Sequence, residues 1–105
     1  MLTAKMITEL MLQLNDYLKE DGEMGEVGII GGAVMCLVYN ARQATRDVNA
    51  IFKPTQVIRR LVEKIGKDTG LGPNWLNDAA KVYVQGEFRK DSVLHLSNLR
   101  IWAPE

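Results

Sequence analysis

Apolar residues recur at spacings of three and four near the start of the chain: Met6, Ile7, Leu10, Met11, Leu14, Tyr17 and Leu18. That spacing puts them on one face of a helix, with Thr3 as its N-cap and Asp21-Gly22 as its end. The pattern then changes. Residues Glu26 to Ile30, EVGII, form a short apolar run that predicts a buried strand. After Gly31-Gly32 comes AVMCLVY, an apolar stretch without alternation, which predicts a buried helix. Asn40 closes it, because asparagine tolerates the left-handed conformation common at helix ends. Arg42 to Arg46 reads as a polar connection into a strand from Asp47 to Phe52. Alternation in that strand sends Val48, Ala50 and Phe52 to the core, and Asp47, Asn49 and Ile51 to a cleft or to solvent.

Pro54 suits the first turn of another helix. Its stripe of Val57, Ile58, Leu61, Val62 and Ile65 lies opposite Arg59, Arg60, Glu63 and Lys64. It ends near Gly66 or Gly70. A Gly-Pro break followed by Asn74 predicts a second, shorter helix from about Trp75. Two β-prone pieces, Val93 to Leu96 and Leu99 to Trp102, form a hairpin or one bent strand. This order predicts an α/β (α+β) fold, a small mixed sheet flanked by helices.

Size and composition narrow the class. A chain of 105 residues suits a single domain, 1–105. Thirteen basic residues balance thirteen acidic ones, so the chain lacks the strongly basic character of a general nucleic-acid binder. The single cysteine, Cys36, excludes an internal disulfide framework and favours a reducing, cytoplasmic compartment. Lys5, Glu9, Asp16 and Lys19 interrupt the N-terminal stretch, which lacks the apolar run of a signal peptide or membrane span.

Two features carry candidate chemistry. The first is Gly31-Gly32 between a strand and a helix, where a glycine pair lets a phosphate approach backbone N–H groups. The third glycine of a dinucleotide fingerprint and the lysine of a P-loop are both missing. The second is Asp47 with Asn49, two positions apart and so on one face of a strand. A carboxylate pair so placed holds a divalent cation; with Asn49 as the second residue, one donor is neutral. Either feature alone has a plainer use, as a tight turn or a solvated strand edge.

Together they resemble the nucleotidyltransferase superfamily, in which a Gly-Gly turn is followed by a strand bearing Asp-x-Asp. GIIGGAVMCLVYNARQATRDVNAIF and the later WLNDAAK look like the small nucleotidyltransferase-like proteins of unknown function, a likeness running from Glu26 to Val84. The resemblance implies that Gly31 and Gly32 cradle a triphosphate and that Asp47 ligates Mg²⁺. Asn49 stands at the second carboxylate, and Arg42 and Thr45 lie at the mouth of the site. It matches Asn77 and Asp78 without assigning them a role; their plainer reading is a helix N-terminal cap and dipole partner. It also implies a third acid on the next strand, which LRIWAPE does not supply; Asp91 or Glu87 would then have to come from elsewhere. Relatives continue into a further helix, so the domain is expected to lack that C-terminal extension.

The functions implied are Mg²⁺-dependent nucleotidyl transfer from a nucleoside triphosphate to a protein, RNA or small-molecule hydroxyl, weakened by Asn49, or a non-catalytic binding or assembly module. The latter would be a toxin–antitoxin or phage-defence component. Leu99 to Trp102 is expected at a sheet edge, which predicts a homodimer through that strand. His95 and Cys36 read as structural, Trp75 and Trp102 as core or interface anchors. Arg59, Arg60, Lys64 and Lys67 read as a solvated helix face.

Overall fold

In the computed structural model, which describes residues 1–79 and 90–104, the first helix follows its sequence pattern closely. Strand β1 (Leu2–Thr3) leads into α1 (Ala4–Glu20), and the Thr3 hydroxyl accepts a hydrogen bond from the Met6 N–H, the expected cap. Ile7, Leu10, Met11, Leu14 and Leu18 are buried, whereas Met6 is exposed. Strand β2 (Gly25–Ile30) follows, then α2 (Gly32–Leu37), β3 (Ala44–Thr45), β4 (Val48–Lys53) and α3 (Thr55–Thr69). The described chain ends with β5 (Leu76–Asn77), β6 (Lys90–His95) and β7 (Leu99–Pro104).

The protein is a mixed α+β fold. A two-stranded sheet pairs β1 with β3, and a five-stranded mixed sheet has the order β5-β4-β2-β7-β6. In the larger sheet β2 and β4 run antiparallel, while β7 joins β2 and β5 joins β4 in parallel. Val27, Ile29, Val48, Ala50, Leu99, Ile101 and Ala103 line one face and share a core with α1 and α3. Strand alternation sends Asn49, Ile51 and Lys53 to the other face, together with Glu26, Gly28, Arg100 and Trp102 of the neighbouring strands.

Four expectations are corrected. The helix after Gly31-Gly32 stops at Leu37, and Met35, Val38 and Tyr39 are exposed rather than buried. Asn40 does take a left-handed conformation, with φ of 50°, where the chain turns. Pro54 stands at the N-cap of α3, not inside its first turn. No helix begins at Trp75: Leu76 and Asn77 form a strand on β4, because α3 ends in left-handed Gly70 and the chain folds back over Gly66. The sequence beyond Ala79, up to Arg89, lies outside the described residues.

The fourth correction concerns the end of the chain. β6 and β7 form the hairpin, and β7 is interior, paired with β2 on one side and β6 on the other. Its hydrogen-bonding edges are therefore filled, which closes it to a second copy. Among the described residues the outer strand is β6, which starts with exposed Lys90-Asp91 and carries an irregularity between Ser92 and Leu94, features that blunt an edge. Among the described residues no helix is long and apolar enough to cross a membrane.

Candidate functional site

The register of β2 and β4 sets the first geometry. Ile30, the last residue of β2, lies opposite Asn49, so the Gly31-Gly32 turn leaves the sheet beside the start of β4. Gly31 has φ of 67° and ψ of −138°, a conformation that L side chains rarely adopt. Gly32 matters for a different reason. A Cβ there would sit 2.8 Å from Thr45 Oγ1 and 2.9 Å from Arg42 Nη1. The turn, Arg42 and Thr45 thus converge.

Thr45 is buried and doubly anchored. Its backbone pairs with Leu2 across β1 and β3, and its hydroxyl donates to the Asp47 carbonyl at 3.1 Å. Those contacts fix the chain immediately before β4 and set where the half-buried Asp47 side chain begins. Arg42 is exposed and extends from the irregular segment before β3 onto Gly32. It brings a delocalised cation with several donors to the glycine turn, chemistry suited to a phosphate.

The other side of the site comes from a residue with no expected role. Strand β5 adds in parallel to β4 with Asn77 opposite Asn49, and Val48 N–H donates to the Trp75 carbonyl at 2.7 Å. Asn77 Nδ2 then lies 3.4 Å from Asp47 Oδ2 and also donates to the Asn74 carbonyl at 3.1 Å. Its Oδ1 accepts from the Ala79 N–H at 3.2 Å. These contacts fix the amide: its NH₂ end faces Asp47, so Asn77 braces the carboxylate instead of offering a metal an oxygen. Asp78 beside it is held by Arg59 at 2.9 Å.

The strand neighbouring β4 on this side is β5, not Leu99 to Trp102. The position across from Asn49 is therefore occupied by a second amide, Asn77. Asp91 is on β6, separated from β4 by β2 and β7, and takes no part; Glu87 lies outside the described residues. The WLND segment was the signal that marked Asn77, but its cap-like composition pointed to a helix.

The hard oxygen donors that would be offered to a divalent cation here are the Asp47 carboxylate and the Asn49 amide. Mg²⁺ commonly takes few protein ligands and completes its shell with phosphate and water, so this donor set fits. Among the described residues no three His, Cys, Asp or Glu side chains group to hold a metal. His95 is exposed on β6. Cys36 and Trp75 are buried core residues, and the Trp75 indole N–H donates to the Val62 carbonyl at 2.9 Å.

Comparison with protein-family models, curated proteins and solved structures finds no match. Function must be read from the site itself.

Proposed function

We propose that the chain is a nucleotidyltransferase-like protein that binds the triphosphate of a nucleoside triphosphate at the Gly31-Gly32 turn, with nucleotidyl transfer weak or lost. The observation that supports this most is the convergence of Gly32, Arg42 and Thr45 beside the start of β4, where Asp47 and Asn49 stand. Glycine lets phosphate reach the backbone, and Arg42 supplies charge. Asp47 and Asn49 would hold Mg²⁺, which when bound offsets phosphate charge and stabilises the charge that develops in transfer. Asn77 orients the Asp47 carboxylate through its NH₂ group.

The same arrangement favours weak chemistry. Both positions flanking Asp47 across β4 and β5 carry neutral amides, so among the described residues Asp47 would serve as the charged ligand without a second carboxylate beside it. The second reading, a non-catalytic binding or assembly module of the toxin–antitoxin or phage-defence kind, draws on those amides and on exposed Met35, Val38 and Tyr39 at the end of α2.

The test is a transfer assay with Mg²⁺ and labelled nucleoside triphosphates on wild type, Asp47→Ala and Asn49→Asp. Weak labelling of protein or RNA by wild type, lost in Asp47→Ala and increased at least about tenfold in Asn49→Asp, is expected for a missing carboxylate ligand. Labelling that persists in Asp47→Ala would remove Asp47 from the chemistry.

A further inference from the structure

The sheet face that carries Asn49 also holds a pocket of about 180 Å³, lined by Glu26, Ile51, Phe52, Lys53, Lys90 and Trp102. Gly28 explains how it is built. In register, Gly28 lies between Ile51 of β4 and Trp102 of β7. A Cβ at Gly28 would meet the Trp102 ring at 2.2 Å, so the indole lies flat across the glycine backbone. Ile51 and that indole give the pocket its apolar walls, while the Phe52 side chain alternates to the core face of β4. Its rim is polar: Lys53 pairs with Glu26 at 2.9 Å, and the Lys90 ammonium stands 4.6 Å from the Trp102 ring centroid.

We propose that this pocket is a base subsite, taking the nucleobase of a nucleotide whose phosphates lie at Gly31-Gly32; it rests on the triphosphate-binding reading above. Three observations carry it. Asn49, Ile51 and Lys53 alternate onto the same face of β4, so the pocket begins about 7 Å from Asn49 and extends to about 13 Å, at roughly 3.3 Å per residue. That separation matches the reach from the phosphates of a nucleotide, across its ribose, to its base. The volume of about 180 Å³ is below the roughly 300–1,000 Å³ of pockets that enclose a whole drug-sized ligand, and suits one planar ring system. The composition matches a base as well: apolar walls contact its ring, and the Glu26 carboxylate and Lys53 ammonium offer an acceptor and a donor to its edge.

The test compares Mg²⁺ complexes of the four nucleoside triphosphates with inorganic tripolyphosphate, and adds the four free nucleosides, by calorimetry on wild type, Ile51→Glu and Arg42→Ala. Lys53→Ala, at an exposed position, serves as a second variant that leaves folding intact. At least one nucleoside triphosphate should bind about tenfold or more tighter than tripolyphosphate. Ile51→Glu should abolish that preference and Lys53→Ala should reduce it severalfold, with tripolyphosphate affinity unchanged in both. Equal binding of nucleotide and tripolyphosphate, both weakened by Arg42→Ala, would overturn the base subsite and leave the phosphate cradle standing. Nucleoside binding lost in Ile51→Glu, without tripolyphosphate binding, would support the base subsite and overturn the cradle. Binding of neither would overturn both.

Discussion

Gly32 and Asn77 illustrate how differently single residues announce themselves. Gly32 was legible because a glycine pair between a strand and a helix is a local signal, and the reason for it is the close approach of Thr45 and Arg42. Thr45 is buried and cannot move aside, whereas Arg42 is exposed and can. Gly32→Val should therefore destabilise the fold by about 1–3 kcal/mol, as crowding a packed position does. By displacing Arg42 it should also weaken tripolyphosphate binding about tenfold or more, measured by calorimetry beside a thermal melt. A melt shift with unchanged binding would mean that Arg42 does not serve the turn. Asn77, in contrast, was not legible as part of the site. Asn-Trp-Leu-Asn-Asp reads as a helix start by composition, and only the pairing of Asn77 with Asn49 gives it a role.

What decides between helix and strand after Trp75 lies in how α3 ends. Gly66 is buried inside α3, and a Cβ on it would sit 1.9 Å from the Gly72 carbonyl oxygen. The chain can fold back over the helix only because that side chain is missing. The Gly72 N–H then donates to the Gly66 carbonyl at 3.1 Å, and Trp75 docks against Val62. This return delivers Leu76-Asn77 to β4, so a glycine in a helix positions the brace on Asp47. Gly66→Ala should cost about 1–3 kcal/mol in a denaturation series, because the clash is with backbone and not with a flexible side chain. A variant as stable as wild type would show that the return does not depend on this contact. The amphipathic helices themselves were legible, since their periodicity and caps are local; Thr3 capping α1 is visible in the sequence, whereas for the end of α3 the sequence offers Gly66 or Gly70, and the structure puts Gly66 inside the helix and ends it at Gly70.

The order of the sheet was the least legible property of the molecule. Alternation at Leu99, Ile101 and Ala103 identifies β7 as a strand with one buried face, but it does not name its neighbours. Partners as distant in sequence as Gly25 and Leu99 are chosen by the whole core. Asn15 helps to fix that choice from α1: its side chain accepts from the Asn98 N–H at 2.7 Å and donates to Ser97, tying the hairpin turn to the helix. The resulting order, β5-β4-β2-β7-β6, sets Asp47, Asn49 and Asn77 at one end of a face whose other rows carry Ile51, Lys53 and Trp102.

The central claim is that this end of the sheet binds the triphosphate of a nucleotide through Gly31-Gly32, Arg42 and an Asp47-held Mg²⁺. Calorimetric titration of the Mg²⁺ complexes of the four nucleoside triphosphates into wild type and Asp47→Ala tests it most directly. Saturable binding by wild type that weakens about tenfold or more in Asp47→Ala, and on replacing Mg²⁺ by a chelator, is the predicted result. Absence of binding to wild type, or binding indifferent to both Asp47 and Mg²⁺, would contradict it.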